Sequence, residues 1–505
     1  MLIRNTVANF AGQLLYPLLA LALVPFYIRH VGIEGYGLIG LIAMVVSVLG
    51  VFSKGLGSAL QREFGRRSAT LEGRQSLPIL LRSFEIVYWL LGVALAMGFG
   101  ALALSVGSQW IRTESIPRQT VVSCLVLLAV RVALAFPHSI YQSVFIGTER
   151  QVEGNVINGL LALSAVAAGV TAILVFGSVT AVYVGEVVTA GIFLIVLRLR
   201  AFAVLPSGPH AFDAREVRSL LRGSIDLIWT NGIGLLITNL DRVVVSAVLP
   251  VAALGLYTAA ASAARAVGLG LNPFLMAAYP RTCRIAETGS AQQQLDDLLR
   301  AATVVAVLGA AITLPLSAFS VDVLTLWLRD STLARAGAPV LAIYALGSLT
   351  IGLATVLYQR QMAVGATRFG ARFNAVALLW FPIALWFLVA RLALSGAAAA
   401  WLIYAVAAWL YHIAVTFRDN TLGSGARWAY LRAVVTGVLP VAAVVAAARV
   451  AADNIFPSPA GRLTLLIIAV VTSAGLGALQ FRHQKRGTAT FLREQTPSKK
   501  VTVPF

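Results

Sequence analysis

Between Asp226 and Arg284 the chain sets ionisable side chains into sequence that is otherwise apolar enough for a membrane. Asp226, Asn231, Asn239, Asp241 and Arg242 fall on one predicted helix. After the short turn 249–253, a second helix opens at Gly255-Leu256-Tyr257 and carries Arg265 near its middle, then Asn272-Pro273. A charge at the centre of a membrane helix costs ~2.5–3.5 kcal/mol on insertion scales, so it is tolerated where it faces a bundle interior or a wet cavity. Arginine at that depth can offer charge-assisted hydrogen bonds to a phosphate in place of water.

Helical spacing sorts the candidates. Thr258, Ser262, Arg265 and Asn272 recur at steps of 4, 3 and 7 and share a face. Arg265 is therefore a candidate phosphate ligand on a cavity wall, or else a structural partner of Asp241. Asp241 and Arg242 are adjacent and diverge by about 100°, so they cannot face one groove; one of them is free to snorkel to an interface. Arg131 begins a second stripe with His138 and Gln142, on a helix that Pro137 should bend. Lys54 shares a face with Ser47, Ser58 and Gln61; it is a binding candidate or a snorkelling cation near a helix end. Asp226, with Thr230 and Gly234 on its face, suits a proton or cation site, or an acid placed by the helix dipole. Asp241 is a second candidate coupling acid. Glu186, one turn after Tyr183, is the remaining deep acid and a third. The histidines are scattered, which gives no metal cluster. No phosphate-binding Walker loop, dinucleotide fingerprint or nucleophile elbow stands in a usable context. We therefore expect no cofactor and no enzymatic activity, so that any work done at this site draws on an ion gradient, the membrane potential or the substrate gradient.

Positioning such residues requires membrane helices. Of 505 residues 59% are hydrophobic and 12% charged, which excludes a soluble domain. The net charge of +19 would suggest nucleic acid in a soluble protein, but here it reads as positive-inside loops. Fourteen apolar spans are expected near 6–28, 36–60, 83–106, 119–146, 153–176, 179–198, 222–247, 255–279, 301–327, 338–358, 373–391, 396–417, 431–451 and 462–481. The fold class is an all-α polytopic membrane protein; the spans are too long and too uniform for a β-barrel. With the first residue cytoplasmic, 27 Lys and Arg fall in inside segments against 8 outside, so both termini are expected inside. The first apolar run is too long for a signal-peptide core and reads as a retained helix. Cys124 and Cys283 fall on opposite expected sides and form no disulfide framework. Residues 291–300 read as a short amphipathic helix on the inner surface.

A shift of about 220 residues lays Ile33–Leu38 on Ala253–Thr258, and Asn5, Asn9 and Gln13 on Asp226, Thr230 and Gly234. This predicts two six-helix lobes, 1–200 and 222–418, related by a pseudo-two-fold axis along the membrane normal. A cytoplasmic Pro/Gly loop, 201–221, joins them. Two additional helices, 431–481, and a basic cytoplasmic tail, 482–505, follow. Gly55/Gly57 and Gly268/Gly270/Pro273 are places where the hairpins could flex or pack closely.

Phe26-Tyr27-Ile28-Arg29-His30-Val31-Gly32-Ile33-Glu34-Gly35-Tyr36-Gly37, with Gly55-Leu56-Gly57 and Gln61-Arg62, resembles the first hairpin of bacterial polysaccharide flippases. Asn239-Leu240-Asp241-Arg242 through Leu254-Gly255-Leu256-Tyr257 and Ala260 resembles the start of their second half. These are the O-antigen and exopolysaccharide transporters of the multidrug/oligosaccharidyl-lipid/polysaccharide exporter superfamily. The resemblance spans the first twelve helices and implies alternating access of two lobes in the bacterial inner membrane. The implied cargo is an undecaprenyl-diphosphate-linked oligosaccharide, turned from the cytoplasmic to the outer leaflet. A polysaccharide polymerase and a chain-length regulator are implied partners; nucleic acid is not. Arg265, Arg131, Lys54, Arg242, Ser262 and Asn272 are the expected substrate-binding set. A cation-coupled drug antiporter of the same fold would want more acids than bases. A membrane glycan polymerase or ligase would need a large outside loop, and the expected outside loops are short.

Overall fold

The computed structural model describes residues 2–208 and 211–455, together with 461, 462, 464 and 472; at 2–16, 51–52, 54–55, 106–108, 222–233, 235 and 455 it describes backbone only. Twelve helical elements follow one another: α1 (Leu2–Ser68), α2 (Leu71–Trp110), α3 (Arg118–Gly147), α4 (Gln151–Phe176), α5 (Val179–Val204), α6 (Ala214–Val248), α7 (Val251–Thr288), α8 (Ala291–Ala318), α9 (Ser320–Leu328), α10 (Ser331–Ala363), α11 (Arg368–Thr416) and α12 (Ala426–Ile455). Two of them are broken in the middle. α1 breaks at Gly32 (φ 71°), a backbone state that glycine adopts without a Cβ penalty. α11 breaks at Ala393 (φ 49°, ψ −129°). The described residues thus hold fourteen helices, and no strand is among them. The chain is an all-α, multi-pass membrane protein. The last expected span, 462–481, lies outside the described residues apart from single positions.

Several boundaries differ from expectation, for local reasons. The stretch 291–300 is no separate interfacial helix but the start of the 28-residue α8. Ser290 starts it with a capping box: its Oγ accepts from Gln293 N (3.3 Å) and Gln293 Oε1 accepts from Ser290 N (2.9 Å). The span expected at 301–327 divides at Phe319 into α8 and α9. The start of α6 lies at Ala214, because Asp213 Oδ1 accepts from Arg215 N and Glu216 N at the N-cap. The second helix of the 226–284 hairpin opens at Val251 rather than Gly255.

Packing divides the chain into two compact units. The first comprises residues 1–263, 327–340 and 370–404; the second comprises 264–326, 341–369 and 405–505. In the first unit α3 and α4 form an antiparallel hairpin, while α3 and α5 run parallel. Cys124 Sγ accordingly lies 3.8 Å from Thr180 Oγ1, and Arg131 reaches Glu186 at a nearly equal offset. Glu85, buried at 2% side-chain exposure, anchors the bundle by accepting from Arg82 (2.5 Å), Arg198 (2.6 Å) and Tyr141 (2.5 Å). At the end of α1, Arg66 and then Arg67 hold the Glu63 carboxyl down to about 2, and Arg67 also pairs with Glu216 of α6. In the second unit α12 packs along α8, where Gly437 meets Ala306 and Thr303. Asp322 of α9 takes Arg449 (3.0 Å) and Arg462 (3.5 Å).

Candidate functional site

A cavity of about 230 Å³ opens inside the first unit, lined from α1, α3, α4, α5, α6 and α7. Its walls are mostly aliphatic, from residues such as Ile39, Val46 and Val182. Its polar members are few: Tyr27, Tyr36, Arg131, Glu186, Arg242 and the hydroxyls of Thr258 and Ser262.

Helix geometry explains how these side chains meet. Gly37 of α1 crosses Gly255 of α7 so closely that a Cβ on Gly37 would overlap Val251 O, and one on Gly255 would overlap Ile33 O. This glycine contact brings Thr258 beside Gly40, one turn along each helix, and turns Tyr36 into the cavity. Gly169 of α4 leaves room for the Tyr27 hydroxyl.

Arg131 Nε and Glu186 Oε2 stand 3.4 Å apart, with 19% and 22% of their side chains exposed. Arg242 is 7% exposed, and its Nε is buried without a hydrogen-bond partner, as is Thr258 Oγ1. Its neighbour Asp241 turns away, accepting from the Tyr257 hydroxyl (2.7 Å) and from Arg242 N (2.8 Å). The two adjacent charges therefore separate, as the 100° step per residue requires.

Of the nine residues singled out from sequence, Arg131, Arg242, Ser262 and Glu186 line this cavity. Asp241 does not line it. Arg265 and Asn272 belong to the second unit, so the four-residue stripe on α7 is divided between units. There Arg265 donates to the Tyr344 hydroxyl (3.1 and 3.3 Å) with its guanidinium 5.5 Å from that ring, and Asn272 is exposed. Lys54 and Asp226 sit in α1 and α6, and their side chains lie outside the described residues. On the Arg131 stripe, His138 Nε2 and Gln142 Oε1 are buried, and Asn158 of α4 stands beside His138. Sequence reading missed Tyr27 and Tyr36 as cavity residues; their place in the Tyr27…Gly35-Tyr36-Gly37 motif was the available signal. It also treated Arg131 and Glu186 separately, because 55 residues of chain separate the partners.

The chain is a bundle of long apolar helices around a mostly aliphatic cavity with a few polar groups, and solved structures share this fold. The chain superposes on the structure titled "Lipid II flippase MurJ, inward closed conformation" with a TM-score of 0.74 at 13% identity, covering 95% of this chain and 99% of that one. An inward-facing multidrug resistance MATE family transporter of the MOP superfamily gives 0.67 at 13% identity, covering 83% and 94%. The sequence model of the family described as "Polysaccharide biosynthesis protein" matches residues 2–286, more than half of the chain, and the chain belongs to that family. A protein of Shigella flexneri named "Putative O-antigen transporter" is 22% identical over 421 residues, which is 81% of this chain and 97% of that protein.

Proposed function

We propose that this chain is a flippase, not an enzyme, that moves undecaprenyl-diphosphate-linked oligosaccharide repeat units from the cytoplasmic to the outer leaflet of a bacterial inner membrane. The observation that carries this reading is the cavity with two arginines, Arg131 and Arg242, and two hydroxyls, Thr258 and Ser262, inside apolar helices. A diphosphate crossing hydrocarbon loses its hydration, and guanidinium groups replace that water with charge-assisted bonds. The aliphatic walls suit the polyprenyl chain beside it. At about 230 Å³ the cavity has room for the diphosphate head but not for a whole repeat unit. Arg265, Lys54 and Asn272 complete the proposed substrate-binding set, and Asp226, Asp241 and Glu186 are the proposed coupling acids. Motion follows alternating access of two lobes, 1–200 and 222–418, with 201–221 as their link, 431–481 as an added helix pair and 482–505 as a basic tail. Both termini are cytoplasmic in this reading, and the partners are the polymerase and chain-length regulator of surface polysaccharide assembly. Family membership and the similarity to transporters support it.

A cation-coupled antiporter shares the fold, but a cationic drug in this cavity would meet two arginines against one glutamate. The test is leaflet-specific. In cells lacking this chain, lipid-linked repeat units should accumulate on the cytoplasmic leaflet. The wild-type gene should restore their appearance outside. Arg131→Gln or Arg242→Gln should cut that appearance by about 10–150-fold, as loss of one charged hydrogen bond at about 1.5–3 kcal/mol implies, while membrane abundance is unchanged. Repeat units reaching the outer face at the normal rate in cells lacking the chain would sink the proposal.

A further inference from the structure

The arginine that lines the cavity beside α5 already has an anion on it. We propose that Glu186 is a built-in competitor for Arg131, occupying the guanidinium when the cavity is empty and yielding it to the anionic group of the cargo. The inference rests on the anion-site reading above.

The ion pairs of the first unit differ in a way that points to this. Glu85 accepts from two arginines and a tyrosine at 2.5–2.6 Å and is nearly inaccessible. Glu153 holds Arg200 at 2.5 Å. Such short, multiple bonds suit pairs that hold helices together. Arg131 and Glu186 make a single 3.4 Å contact through Nε, with both side chains about one-fifth exposed onto the cavity. That contact uses one of the five guanidinium donors and leaves the fork open to a second anion. The same cavity is lined by Arg242 and Thr258, whose Nε and Oγ1 are buried without hydrogen-bond partners. A dianion in the cavity would meet Arg242 as well as Arg131, and would bid against Glu186 for the latter. A carboxylate left behind in an apolar bundle is costly, so Glu186 opposes the anion's arrival and favours its departure. A transporter needs that balance: a site that binds a dianion with two unopposed arginines would release it slowly.

The test measures binding of inorganic pyrophosphate to the purified full-length protein in detergent by calorimetry. Glu186→Gln keeps the size and hydrogen-bonding capacity but removes the competing charge. It should bind pyrophosphate about tenfold more tightly than the wild type, a modest share of the repulsion between near charges. Glu186→Ala is the second variant should the glutamine protein fail to fold, and thermal unfolding checks both. If Glu186→Gln and Glu186→Ala bind pyrophosphate equally to or more weakly than the wild type, Glu186 merely orients Arg131 and the proposal is overturned, while the anion site stands. If neither wild type nor variants bind pyrophosphate, the anion site itself falls, and the competitor role falls with it.

Discussion

Asp241 is only 1% exposed, so the carboxylate adjacent to a cavity arginine is one of the most deeply buried acids described. Its surroundings stabilise it through donors, the Tyr257 hydroxyl at 2.7 Å and the Arg242 backbone N–H at 2.8 Å. This assigns the two halves of the Asn239-Leu240-Asp241-Arg242 motif to different tasks. Asp241 ties α6 to α7 through Tyr257, and Arg242, about 100° further round the helix, lines the cavity. Tyr257→Phe removes one donor from a buried charge and should cost roughly 1–3 kcal/mol, read as a lower unfolding midpoint in detergent. An unchanged midpoint would show that Asp241 is held by other groups.

The crossing of α1 and α7 is the element-scale feature on which the cavity depends. Gly37 and Gly255 have no space for a side chain, since backbone oxygen of the facing helix occupies the Cβ position in each case. Small residues let membrane helices approach until van der Waals contact and dispersion replace what lipid cannot supply. Leucine at either position must push the helices apart. We expect Gly37→Leu and Gly255→Leu each to destabilise the protein by at least about 1–3 kcal/mol, the usual cost of overpacking, and to abolish a monodisperse elution profile. Gly50, with nothing within 4 Å of its Cβ position, is the control, and Gly50→Ala should be silent. Equal behaviour of the three variants would remove the close crossing as the basis of the site. The break of α1 at Gly32 belongs to the same scale, because it lets one continuous element supply Tyr27 and Tyr36 from two differently directed arms. Glu34, just past the break, accepts from Glu114 N (2.7 Å), Ser115 N (3.0 Å) and Ser115 Oγ (2.5 Å), so the second arm is tied to the loop before α3.

Over the whole molecule, the distribution of charge predicts how the helices are threaded through the bilayer. Arginines at 62, 66, 67, 74 and 82 flank the α1–α2 turn, whereas Arg112 and Arg118 alone flank the α2–α3 loop. Single cysteines placed at Thr70 and Thr113, in a background without Cys124 and Cys283, should react with an impermeant thiol reagent from opposite sides. Thr70 should label only after the cytoplasmic face is opened, and Thr113 in intact spheroplasts. The reverse pattern would invert the topology and with it the direction of the proposed transport. Cys124 is buried, so its removal calls for a small apolar replacement such as Ala.

Hydrophobic run length and charge bias are local properties, and the sequence by itself determined what depends on them: an all-α multi-pass chain, its helices in order, and the charges that a bilayer would not tolerate facing lipid. It also marked Gly55, Gly57, Gly268 and Gly270, because a residue without Cβ inside an apolar helix announces either a bend or a close approach. It could not say which. Gly270 proves to be a close approach, with Ile312 against its Cβ position, while the bend of α1 falls at Gly32 and the contact with α7 at Gly37, neither of which was singled out on that ground. Pairings had the same limit. Arg131 and Glu186 were both legible as anomalies, yet only the parallel packing of α3 and α5 sets them side by side. The stripe on α7 was legible as one face, but the tertiary structure gives Thr258 and Ser262 to a cavity in one unit and Arg265 to Tyr344 in the other. Helical periodicity reports which residues share a direction; what stands in that direction is decided by long-range packing.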